Sequence, residues 1–232
     1  MQARLAGETD LAGFREEARA LLAHQVPPEA VQWQTAHAQN AEFFANAERP
    51  ADRAASTPKA ASAIVPASFL RLCEVVVLHH DPDRFALLYR LLWRLVHEPA
   101  LRNDPIDADM QLAHQMGQAV RRDVHKMKAF VHFRDIDIGA AQPLLVAWYE
   151  PAHHILECVA PWFAKRMQDA RWAIFTPPGS VESDGHQLHF GQGLTREESP
   201  GTLGRDDEWL CVYRRVFGER AIAVNDALGP IA

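Results

Sequence analysis

The 232-residue chain has only three cysteines, Cys73, Cys158 and Cys211, far apart and with no C-x-x-C pair. That spacing supports neither a disulfide framework nor a cysteine-only zinc or iron–sulfur site. No stretch approaches the ~18 consecutive apolar residues needed to cross a bilayer. The N-terminus, MQARLAGETDLAGFREEARALL, is interrupted by Glu8, Asp10, Arg15, Glu16 and Glu17, so it lacks the apolar segment of a secretory signal. These absences lead to the expectation of a soluble, cytoplasmic protein with no membrane partner. GxGxxG, P-loop, GxSxG and kinase-type motifs are also missing, and nothing points to a nucleotide cofactor or to serine-hydrolase chemistry. No cofactor is expected.

What is present reads as a folded chain. Hydrophobic residues at 48% and charged residues at 23% are ordinary globular values, which argues against a wholly disordered or fibrous polypeptide. The net charge of −6 would by itself discourage binding to phosphate, but the charge is unevenly spread. Residues 179 to 208 hold seven acids and two bases, whereas AVRRDVHKMKAFVHFR, residues 119 to 134, packs five bases against Asp123 alone.

Apolar spacing at Leu11, Phe14, Ala18, Leu21 and Leu22 predicts a helix opened by Thr9 or Asp10 and stopped by Pro27-Pro28. Residues 1–44 are therefore expected to form an N-terminal helical arm. Residues 45–66, rich in Ala, Pro and small polar side chains, read as a flexible linker. Residues 67–232 then form the main domain. It opens with two helices joined at Asp81-Pro82-Asp83, and a third begins at Asp107 or Asp109 and continues to Met127.

After Met127 the pattern changes. AFVHFRDIDI and PLLVAWYEP predict a hairpin, AHHILECVAPWFAKRM a helix beginning near Pro151, RWAIFTP a strand, and VESDGHQLHFG a second hairpin turning at Asp184-Gly185. A last helix is expected from about Asp206 to Phe217. The fold class is α+β: N-terminal helices, then a β-β-α-β-β antiparallel sheet covered on one face, then a C-terminal helix.

Two groups of residues carry candidate chemistry. Arg121 and His125, Arg122 and Lys126, and Arg90 and Arg94 are pairs four residues apart on helices, and like charges at that spacing destabilise a helix by roughly 0.2–0.5 kcal/mol per pair. Such pairs are relieved either by an anion or by carboxylates of the same fold, such as Asp123 or Glu98. If the chain is extended beyond Met127, Lys128, Phe130, His132 and Arg134 point to one face, and cations interleaved with a ring suit a phosphate backbone and a stacked base. The bland alternative places Phe130 in the core. The second group is Glu150, His153, His154 and Glu157. A helix starting at Pro151 would put His153 and Glu157 on one face, suited to proton transfer or to a metal, although no recognised zinc spacing is present and no metal site is expected.

FALLYRLLWRL (85–95), AVRRDVHKMKAFVHFR (119–134), WYEPAHHILECVAPWFAKR (148–166) and RWAIFTP (171–177) together resemble a bacterial family assigned to DNA metabolism or repair. Its members accompany a radical-SAM protein and are often fused to a uracil-DNA glycosylase-like domain. The resemblance implies DNA as a ligand, with the glycosylase-like domain and the radical-SAM protein as partners. Carried over by position, it points to Tyr89, Arg90, Trp93 and Arg94, to Arg121, Arg122, His125, Lys126 and Arg134, and to Glu150, His153 and His154. The family usually has Arg where this chain has His132, which weakens the basic face at neutral pH. It also tends to continue into a basic, aromatic segment and the glycosylase domain. This sequence ends at VNDALGPIA, and base excision is expected of a partner chain.

The expected function is a DNA metabolism or repair accessory protein that binds nucleic acid through a basic, aromatic surface. The first alternative is a nucleic-acid-processing enzyme in which His125, Glu150, His153 and His154 meet as acid, base or ligand groups. The second is an interaction module that docks an acidic partner protein.

Overall fold

The structure is a computed structural model that describes residues 1–36, 65–98, 100–101, 104, 106–139, 142–201 and 203–218. It divides into two compact units, residues 1–122 and 123–232. Composition suggested a different division, an arm at 1–44 and a body at 67–232. The expected linker at 45–66 lies outside the described residues except for its last two.

The first unit begins with strand β1 (Gln2–Leu5) and helix α1 (Leu11–Ala23). Asp10 caps α1, its carboxylate accepting from the Gly13 N–H at 2.8 Å. A side chain at Gly13 would collide with that carboxylate, so glycine here lets the cap close. A short 3-10 turn (Pro28–Ala30) leads to β2 (Gln32–Thr35), which pairs in parallel with β1. This small sheet had no counterpart in the sequence reading, because four residues give too little alternation to register. Helices α2 (Ala67–Val76) and α3 (Arg84–His97) follow. Phe14 and Leu21 share one core with Leu72, Val76, Phe85 and Leu88. The N-terminal segment is thus built into the same core as α2 and α3, which is why the division differs.

Arg84 strengthens that union. Its buried guanidinium donates to the carbonyls of Val77, Asp81 and Glu8 at 2.6–2.9 Å and to the Glu8 carboxylate at 2.6 Å. A buried cation is tolerated only when its donors are satisfied in this way.

Helix α4 (Ala108–Phe130) contains the boundary between the units. Asp107 opens it, accepting from the Met110 N–H at 2.9 Å. Buried Ala113, Met116, Val120, Asp123 and Met127 recur every three or four residues along its inner face, and the Val131 N–H still donates to the Met127 carbonyl at 3.1 Å, so the helix runs past Met127. Lys128 and Phe130 are therefore helical, not extended as expected.

The second unit is organised around a sheet of order β3-β4-β5-β6-β7: β3 (Arg134–Ile136), β4 (Leu144–Trp148), β5 (Arg171–Phe175), β6 (Ser180–Ser183) and β7 (Leu188–Gly191). Both expected hairpins form, and the second turns through Gly185 at φ +94°. The sheet is mixed, not antiparallel. Helix α5 (Leu156–Arg166) is the crossover that returns β5 parallel to β4. Alternation along β5 then serves two faces. Trp172 packs against Phe163 of α5, while Ala173 and Phe175 join a core with Trp209, Val212 and Tyr213 of α6 (Asp206–Phe217). The sheet is thus covered on both faces, where cover on one was expected. Truncating a fully buried ring such as Trp172 costs about 3–5 kcal/mol in comparable cores. The α+β class and the C-terminal helix are as expected. No described helix is long and apolar enough to cross a membrane.

Candidate nucleic-acid interface

The cations of α3 are engaged within their own unit. Arg90 makes a two-pronged contact with Asp109, Nε at 3.0 Å and Nη2 at 2.7 Å. Arg94 reaches Asp107 at 2.7 Å, Asp109 at 3.1 Å and Glu98 at 3.4 Å. Hydrogen bonds from these arginines hold the Asp107 and Asp109 carboxyls below the usual carboxylate range, and the two guanidinium groups are held more firmly protonated in return. The like-charge pair is therefore relieved by Asp107 and Asp109, with Glu98 as the expected helper, and Asp123 takes no part. Tyr89 is fully buried, its hydroxyl donating to the Val26 carbonyl at 2.7 Å. Trp93 stacks on His97 at 4.2 Å. Burial removes Tyr89 from the expected surface contacts, whereas Trp93 is half-buried.

Arg134 in the second unit is also engaged. It donates to the Gly204 carbonyl and reaches the Asp206 carboxylate at 2.8 Å. The expectation that Lys128, Phe130, His132 and Arg134 share a strand face fails, because only Arg134 lies in a strand. His132 lies in the connection after α4, its Nδ1 2.7 Å from the Phe130 carbonyl.

The remaining cations differ. Arg121, Arg122, His125 and Lys126 are exposed on α4, and none is in a salt bridge among the described residues. Arg122 makes a hydrogen bond to the Gln118 carbonyl at 3.4 Å. Phe130 follows Lys126 by four residues, so its ring lies on the same side of the helix; it is 63% exposed and is not the core residue of the bland reading. Lys128 turns toward α5, its Nζ 5.4 Å from the centre of the Trp162 ring, and Arg166 places its guanidinium carbon 5.7 Å from the same ring. Trp162 keeps 36% of its surface exposed, although Phe163 beside it is buried. Next to Arg166 an open depression of about 380 Å³ is lined by Pro143, Leu145 and Met167 with Gln142, Gln168 and Asp169.

The expected acid–base group does not assemble as drawn. α5 starts at Leu156, so His153 and Glu157 are not one turn apart on a helix. His153 is buried, and its backbone N–H donates to Asp123 at 3.0 Å. Burial raises the Asp123 carboxyl above its usual value, against the opposing hydrogen bonds from the His153 and Ala152 backbone. His154 is half-buried, and Glu150 is exposed with Arg196 at 4.0 Å. His125 forms no hydrogen bond or ring contact with His153 or His154 among the described residues.

Sequence reasoning missed two features. Trp162 was passed over as a helix residue, although it falls outside the buried stripe of Leu156, Val159, Ala160 and Phe163 and precedes Lys165 and Arg166. The other feature is a polar cluster under α6. Tyr213 donates to the buried Glu182, with His189 as its cross-strand partner on β7. Burial raises the Glu182 carboxyl, an effect opposed by the Tyr213 hydroxyl and by His189 and Arg171.

These elements define an α+β protein whose second unit exposes cations beside aromatic rings. The chain belongs to the family described as a domain of unknown function, DUF4130, whose model matches residues 82–218, more than half of the sequence. No curated protein and no solved structure matches the chain.

Proposed function

We propose that this protein is an accessory factor of DNA metabolism or repair that holds nucleic acid on the face formed by Lys128, Trp162 and Arg166. The uracil-DNA glycosylase-like and radical-SAM proteins implied by the sequence resemblance are its proposed partners. One observation carries the reading: these cations stay outside any salt bridge among the described residues, while Arg90, Arg94 and Arg134 are each bound to carboxylates. Cations left without internal counter-ions beside exposed rings are what a phosphate backbone with accessible bases requires. The net charge of −6 does not oppose this, because local density sets the contact.

Fluorescence anisotropy with labelled oligonucleotides at two salt concentrations tests it. Contacts from the two cations predict that log affinity falls with log salt at a slope of about −1.4 on single strands and about −1.8 on duplex. Absence of binding at low salt removes the proposal.

A further inference from the structure

We infer that Trp162 is a stacking platform for one unpaired nucleobase, with Lys128 and Arg166 holding the phosphates on either side of it; this deepens the proposed function and rests on it. Two neighbouring rings of α5 are placed differently. Phe163 is 3% exposed and meets Trp172 at 6.1 Å and Phe133 at 5.7 Å, so the core takes that ring. Trp162 stands edge-on to Phe163, 5.0 Å away at 82°, and is left 36% exposed. Packing therefore orients the indole and leaves about a third of it exposed.

The cations specify what lies there. Lys128 from α4 and Arg166 from one turn further along α5 both lie over the same ring, at 5.4 and 5.7 Å from its centre, and a base stacks there as these long side chains swing from the ring onto its phosphates. Neither enters a salt bridge among the described residues. An aromatic ring with positive charge supplied from two elements matches a base with its flanking phosphates. It does not match an intact duplex, whose bases are already stacked on both sides and paired, so the ring can reach only a base that is single-stranded or flipped out.

The test uses the full chain in low salt with four labelled probes. These are a single DNA strand of about 15 nucleotides, its duplex, the RNA strand of the same sequence, and a DNA strand of that length carrying abasic sugars throughout. The expected result is that the wild type prefers the single strand to the duplex and to the abasic strand by about tenfold or more. Trp162→Ala then weakens single-strand binding by about 10- to 100-fold while leaving the abasic strand unchanged, and Trp162→Phe retains most of the affinity. Tighter binding of either DNA or RNA satisfies the inference and identifies the sugar preferred. If Trp162→Ala loses thermal stability, the comparison of Trp162→Phe with the wild type, together with the abasic probe, decides the question. Equal binding of base-bearing and abasic strands overturns the stacking role and leaves the proposed function standing as phosphate binding. Failure to bind any probe overturns both.

Discussion

On α3, Arg90 and Arg94 stand four residues apart and would repel each other, yet Asp107 and Asp109 enclose them in a network of hydrogen-bonded ion pairs. On α4 and α5, Lys128 and Arg166 approach one tryptophan and find no carboxylate among the described residues. The same kind of side chain serves two purposes in the two places. Where counter-ions are supplied, the cations fix the start of α4. Where they are withheld, the charge remains available to an outside anion. Basic character along a sequence therefore says little until the partners are known, because a paired guanidinium and a free one look alike in the chain.

The contrast can be broken from either side. The largest stability effect is expected from Asp107→Ala, which removes both the cap on Met110 and the partner of Arg94. A loss of about 2 kcal/mol is expected in denaturant unfolding, with no change in oligonucleotide affinity. Lys128→Ala combined with Arg166→Ala should do the reverse. Its unfolding free energy should stay within about 0.5 kcal/mol of wild type, while the salt slope on single strands becomes shallower by about 1.4.

Two smaller effects depend on pH. The folded carboxyls of Asp107 and Asp109 lie below their ordinary value of 3.8 because of Arg94 and Arg90. Their contribution is present above that value and is lost as pH falls through the folded values. Thermal melts should show Asp109→Asn losing its disadvantage to wild type under acid conditions. Glu182 has the opposite sign, since burial raises its folded value above the ordinary 4.5. Its contribution is most favourable at or below 4.5 and declines as pH rises through the raised value. Glu182→Gln should gain on wild type across that rise, and parallel melting curves would show that the carboxyl is not held in its neutral form.

Much of the fold could be read from local patterns. The helix at Asp206–Phe217, the strand Arg171–Phe175 and the turn at Asp184-Gly185 all follow from periodicity and turn chemistry. Failures came where a local pattern had two solutions or none. Lys128 to Phe133 alternates like a strand, but the helical bond from the Val131 N–H to the Met127 carbonyl keeps the chain in α4 to Phe130. The parallel pairing of β4 with β5 depends on a crossover that no window of sequence records. The site was legible in part. The concentration of charge at 119–134 was visible, but the capture of Arg90 and Arg94 by Asp107 and Asp109 required the three-dimensional pairing. Trp162 carried a signal that could have been used, a large ring off the buried stripe followed by two cations.

Withheld counter-ions, not basic residues as such, distinguish the proposed nucleic-acid surface. The most direct measurement is the salt dependence of single-strand binding for wild type, for Arg90→Gln with Arg94→Gln, and for Lys128→Ala with Arg166→Ala, each checked for folding by its melting curve. The account predicts that the first pair of substitutions leaves the slope at its wild-type value and that the second reduces its size by about 1.4. A slope that falls with the α3 arginines and is indifferent to Lys128 and Arg166 would contradict it.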